Sequence, residues 1–310
     1  MSDFHVQKQV YEQIDTKYPP VLACSSGSVF MYSTANGLLR LFYTQPEINV
    51  NLPKSPFVDS RASCIAISPP HTFGVICYED GSILIYNLIE KKVLKSLSKE
   101  LKGKITNIAF LSDFDFVTFD STLTLTLFTL VSMSIFGYTV KSTKIQTFKL
   151  FAFQIASPPI YRAVYELPKN IDTVSYRYSD KFDHFVAISL HKKLIIAKIR
   201  PSFKIIYETV DDDEDIENPH VSFSLPNPDN LYAVYSTKKE IFAIGITQDS
   251  NRNYLCRVLF QRPYVHAIRF LSFFSTSLIA VVNDNNFLYL FDFLNPKNSD
   301  HSERISQCNI

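Results

Sequence analysis

Residues 63–97 read SCIAISPPHTFGVICYEDGSILIYNLIEKKVLKSL, and this stretch decides the fold. An apolar run at 64–68 ends at a Pro69-Pro70-His71 turn. A second run, 73–78, meets Glu79-Asp80-Gly81, and a third, 82–88, closes on Tyr86-Asn87-Leu88. A fourth follows at 93–97. Asp-Gly between two apolar runs signals a tight hairpin, because Gly reaches positive φ at little steric cost. Runs this short, bounded by turn residues, read as strands and not helices. The unit predicted is a four-stranded antiparallel sheet.

Outward from it, the unit recurs. Residues 29–32 and 38–43 flank an Asn36-Gly37 turn. Residues 105–110, 114–119 and 123–130 repeat the triple, as do 173–178, 185–190 and 194–199, followed by 204–207. Then come 221–225, 231–235 and 241–246 with 255–260, and finally 265–270, 278–282 and 287–293. First strands start near 63, 105, 173, 220 and 264, mostly at the roughly 40–45-residue period of a four-stranded propeller blade. The long step after 105 leaves room for part of another blade around 148–165. A sheet of this kind cannot bury both faces alone, so neighbours must stack. The fold class is therefore all-β, a β-propeller of six or seven four-stranded blades over residues 21–295, with a pair of sandwiched sheets as the alternative. The last copy has three strands. Residues 1–20 are expected to supply its missing outer strand and close the ring, and 296–310 to form a polar tail.

Composition agrees. The 26 Phe and 17 Tyr favour strands over helices. With 31 basic and 30 acidic residues, the balance excludes a nucleic-acid binder that works through a broadly basic surface. The five cysteines, Cys24, Cys64, Cys77, Cys256 and Cys308, include no CxxC pair, so neither a disulfide framework nor a zinc site is expected. Residues 1–17 are polar and mixed in charge, unlike a secretory leader, and a reducing, cytosolic setting is expected. Residues 121–140 carry no charge, but eight are Ser or Thr and Leu alternates with Thr over 122–127. Period two makes this two strands, roughly 122–130 and 133–140, and not a membrane span.

Motifs for chemistry are missing from the sequence. It has no phosphate loop, GxGxxG, HExxH or GxSxG, and its seven histidines do not fall at metal-ligand spacing. No catalytic residue, cofactor or metal is expected, and an enzyme with carboxylates around a central channel is the less favoured reading. The acidic run at 211–217 reads as a solvated loop. Two segments stand out as partner contacts. Lys91, Lys92 and Lys95 lie in a basic stretch that reads either as a solvated outer strand and loop or as a contact for an acidic partner or headgroup. Phe273 and Phe274, between Ser272 and Ser275, read either as core or as an aromatic loop tip that meets a partner.

Four ordered stretches carry a family resemblance: 28–30 through 36–38; 64–69 with 78–83 and 86–88; 105–110 with Asp120-Ser121 and 125–137; and 185–187 through 194–197 and 200–202. The second is shared with WD-repeat proteins generally. Together they resemble the N-terminal propellers of the vacuolar protein sorting-associated protein 8 family, subunits of the CORVET endosomal tethering complex. That family continues into an α-solenoid and a RING-type zinc domain, and no ligand set for such a domain occurs in these 310 residues. The resemblance implies a non-enzymatic scaffold in endosome and vacuole protein transport. Its implied partners are other tether subunits and a Rab-family GTPase, and its implied place is the cytoplasm, peripheral to endosomal membranes. It implies no nucleic acid and no cofactor. A scaffold in a coat, a nuclear pore or a signalling assembly is the alternative setting.

Overall fold

The computed structural model describes residues 18–26, 28–44, 46–53, 60–133, 137–147, 152–156, 185–190, 193–199, 202–209, 220–224, 231–237, 240–249, 253–264, 266–275, 277–285, 287–295 and 304–307. They contain strands and turns and no helix. The strands form six four-stranded sheets, each paired in sequence order and antiparallel throughout. The chain divides into two compact units, one within 8–149 and one within 150–310, each with three sheets.

In the first unit, sheet one comprises β1 (Pro20–Ser26), β2 (Val29–Thr34), β3 (Leu39–Thr44) and β4 (Glu47–Leu52). Sheet two comprises β5 (Ala62–Ile67), β6 (Phe73–Tyr78), β7 (Ile83–Asn87) and β8 (Lys92–Leu97). Sheet three comprises β9 (Ile105–Phe110), β10 (Asp115–Asp120), β11 (Thr124–Met133) and β12 (Gly137–Thr147). The first strands β1, β5 and β9 lie side by side. Sheet two has both faces covered. Ile76, Leu84 and Tyr86 pack with Met31 and Leu41 of sheet one. The alternate residues Val75, Cys77, Ile83 and Ile85 pack with Phe110, Phe116 and Phe128 of sheet three. Two-sided burial is why 73–77 and 83–86 read as nearly unbroken apolar runs: period-two alternation appears only where one face meets water. The Phe116 and Phe128 rings stack at 5.0 Å, and Phe73 meets Tyr138 edge-on at 5.4 Å.

Both hairpin signals form turns, with Gly37 at φ 76° and Gly81 at φ 82°. At Gly81 the space is closed as well. A Cβ there would stand 2.0 Å from the carbonyl oxygen of Leu101, because the segment after β8 folds back over the hairpin. Leu101 N–H donates to Gly81 O at 3.3 Å, and Lys99 N–H donates to Ser82 Oγ at 3.0 Å.

In the second unit, sheet four comprises β13 (Ala152–Ala156), β14 (Phe185–Leu190), β15 (Lys193–Lys198) and β16 (Lys204–Glu208). Sheet five comprises β17 (Val221–Phe223), β18 (Leu231–Ser236), β19 (Glu240–Gln248) and β20 (Tyr254–Pro263). Sheet six comprises β21 (Ile268–Phe273), β22 (Leu278–Asn283), β23 (Phe287–Asp292) and β24 (Arg304–Gln307). Sheet five is again shared. Ala233, Tyr235, Ile244 and Ile246 pack on Phe185 and Ile196, while Val234, Ile241, Ala243 and Phe260 pack on Leu271, Ile279 and Phe291.

The structure corrects the sequence reading in three places. The first strand of sheet four is β13 and not 173–178, which lie outside the described residues, as does the acidic run at 211–217. The uncharged stretch forms β11 and β12, the latter running on to Thr147. The fourth strand of sheet six is β24, from the segment expected to be a polar tail, and it pairs with β23 at Phe287↔Gln307. Residues 1–17, expected to fill that place, lie outside the described residues. No helix of the structure is long and apolar enough to cross a membrane.

Candidate interaction surface

The lysine group belongs to the last strand of sheet two and the turn before it. Strand β8 pairs only with β7, leaving its other edge unpaired within the sheet. Asn87 holds the turn: its Oδ1 accepts from Ile89 N–H and Glu90 N–H, both at 3.0 Å. Lys91 then takes φ 56°, a left-handed conformation that reverses the chain. Lys91, Lys92 and Lys95 are all exposed. Lys92 pairs with Glu90 at 2.5 Å. A bulge at Leu94 matters here. Ile85 faces Lys95 and Tyr86 faces Val93, so one residue of β8 is left over. Residues three apart in a regular strand point to opposite faces. One extra residue restores Lys92 and Lys95 to the same face.

The aromatic pair separates. Phe273 is half-buried at the end of β21 and meets Phe293 edge-on at 5.5 Å, so it packs into the core between sheets five and six. Phe274 lies in the following turn, fixed by its N–H donating to Leu278 O at 2.8 Å, and is 56% exposed. Its exposed companion is Phe270, at 53%. Phe270 and Phe274, with Ser272 between them, are the aromatic surface that results.

Sequence reasoning missed two exposed features. Ile89, at the tip of the β7–β8 turn, is 70% exposed. The available signal was an isoleucine following Leu88 in a turn completed by Glu90 and Lys91. On β20, Leu255, Val258 and Leu259 are each exposed. Adjacent Val258 and Leu259 break alternation because Ala243 faces Phe260 while Ile244 faces Val258, which leaves Leu259 as a bulge.

The titratable groups point to structural roles. Burial pushes the Cys24 thiol up to about 12 and the Cys256 thiol up to about 11, so both stay protonated near neutral pH. Cys77, opposite Cys64 in the β5–β6 ladder, is raised by burial and by that neighbour. His220 is lowered by burial, partly offset as its Nε2–H donates to Ile268 O at 2.8 Å. Among the described residues no three His, Cys, Asp or Glu side chains stand close enough to hold a metal ion.

Comparison with known proteins bears on what such a surface serves. The crystal structure of the Cps50 (Swd1) β-propeller domain of Myceliophteria thermophila superposes with a TM-score of 0.62 at 10% identity, over 92% of this chain and 83% of that one. The computationally designed Ika8 protein superposes at 0.59 with 12% identity, over 88% and 71%. At such identities the likeness is one of fold, that of a β-propeller, with each four-stranded sheet answering to one of six blades. No curated protein matches the sequence. The profile of the Vps8 β-propeller matches residues 6–310, essentially the whole polypeptide, and the chain belongs to that family.

Proposed function

We propose that this chain is a non-enzymatic protein-interaction scaffold in an endosomal vesicle-tethering complex, acting in endosome and vacuole protein transport. The observation that carries the reading is the family match over residues 6–310. The architecture supports it. Sheets packed on both faces hold their turns and edge strands rigidly, so little conformational entropy is lost when a partner docks on them. The partners on this reading are other tether subunits and a Rab-family GTPase, at the cytoplasmic face of endosomes. Phe274 and Phe270 supply an aromatic contact of the type that anchors interfaces, with Phe273 seating their strand in the core. Lys91, Lys92 and Lys95 supply an exposed positive face that steers an anionic surface toward the molecule.

The test is capture of endosomal Rab GTPases and tether subunits by the full chain, with each GTPase loaded with GTP analogue or GDP. Binding that prefers the GTP form and falls at least tenfold in Phe274→Ala is expected, an anchoring aromatic being worth about 2 kcal/mol or more. A folded sample that captures none of them overturns the reading.

A further inference from the structure

Residues 89–104 hold six lysines and two glutamates. Their placement is not that of an ordinary solvated strand. The ladder puts Lys92 opposite Asn87 and Lys95 opposite Ile85, on the face of β7 whose Ile83 and Ile85 pack toward sheet three. In sheet three, Lys144 of β12 stands opposite Thr126, on the face shared with Phe128 and Leu130, which pack toward sheet two. Lys92, Lys95 and Lys144 therefore line one seam between the last strands of neighbouring sheets. The seam is bridged by Ser142 Oγ–H donating to Glu100 Oε1 at 2.8 Å. Lys91, Lys95, Lys99 and Lys144 are exposed, and the described residues give none of them an ion pair. At the outer end of the seam sits Ile89, its turn fixed by Asn87.

We propose that this turn and seam contact the anionic surface of a lipid bilayer directly, with Ile89 entering the headgroup boundary and the lysines lying among the headgroups. Three features favour a bilayer over an acidic protein segment. The cations are all lysine, compact point charges without the planar fork that reads a particular carboxylate or phosphate. They spread over a turn, a strand, a loop and a second strand, as suits a diffuse field. The large apolar side chain held at the tip suits an interfacial boundary. The inference does not rest on the GTPase reading, and a bare vesicle tests it.

The experiment is flotation of the full chain with vesicles of phosphatidylcholine alone and of equal parts phosphatidylcholine and phosphatidylserine, with no protein partner present. Binding to the phosphatidylserine vesicles alone, weakening as salt rises, is expected. Lys91→Gln and Lys95→Gln should each lower the partition coefficient about fivefold. Ile89→Ser should lower it about tenfold while leaving the salt dependence unchanged. All three side chains are exposed, and unchanged thermal melts confirm folding. Equal binding to both vesicles, no binding at low salt, or indifference to all three substitutions overturns the proposal. So does a preference for poly-glutamate peptide over vesicles, which would give the face to an acidic protein.

Discussion

Strands β8 and β20 hold the same position, each the last strand of the middle sheet of its unit, and each is interrupted by a bulge. Their surfaces differ. Strand β8 turns Lys92 and Lys95 outward, while β20 turns out Leu255, Val258 and Leu259, with Leu255 56% exposed. An unpaired edge offers a row of N–H and C=O groups to any extended chain, and lysines on it discourage neutral strands from adding. Apolar side chains do the reverse. Two edges of one architecture are thus tuned differently, one against strand addition and one open to apolar contact.

The comparison can be broken most severely at the anchors. Phe260 is the buried residue that ties β20 to the core against Phe291. Phe260→Ala should cost about 3–5 kcal/mol in denaturant unfolding. The matching lesion near β8 is Gly81→Ala, which combines a left-handed φ with a Cβ closing on Leu101 O. It should cost about 2–4 kcal/mol and loosen the segment after β8, seen as faster amide exchange at Leu101. Acidification gives a smaller effect. His71 in the first unit and His220 in the second both have folded pKa values lowered by burial. Their stabilising contribution is full above the unfolded value near 6.5 and is lost as pH falls through the folded values. Thermal melts should therefore drop as pH falls below that value, and His220→Gln should flatten the slope. The smallest effect on stability is the sharpest on the comparison. Val258→Lys gives β20 the character of β8. It should leave unfolding free energy within about 0.5 kcal/mol while reducing self-association in light scattering.

The strands that two neighbours cover were plain in the sequence, and two short strands at the sheet margins were not. Phe73, Val75, Ile83 and Ile85 announce themselves because both faces are apolar, and Asp80-Gly81 marks the hairpin between them. Strand β24, RISQ, carries one apolar residue in four and gives no periodic signal, so it passed for tail. Strand β13 is only one residue longer, and the long stretch from 157 to 184 separates it from its partner, so the repeat period misplaced it. At the surface, residue type alone picked out Lys91, Lys92, Lys95 and Phe274. It could not separate Phe273, turned into the core, from Phe274 beside it, because strand register decides that. Nor could it find the seam with Lys144, which lies more than forty positions further along and meets β8 only through sheet packing.

Gly74 marks how tightly the first two sheets are fitted: a methyl group there would press on Met31 Sδ at 2.8 Å and Leu88 Cδ2 at 2.9 Å. Only a bare backbone lets the two sheets close to this spacing, and any added side chain must push those two side-chain ends aside. A force applied at an outer turn by a docked partner is therefore passed between closely seated layers, and a stack of such sheets shares load the way a laminate does.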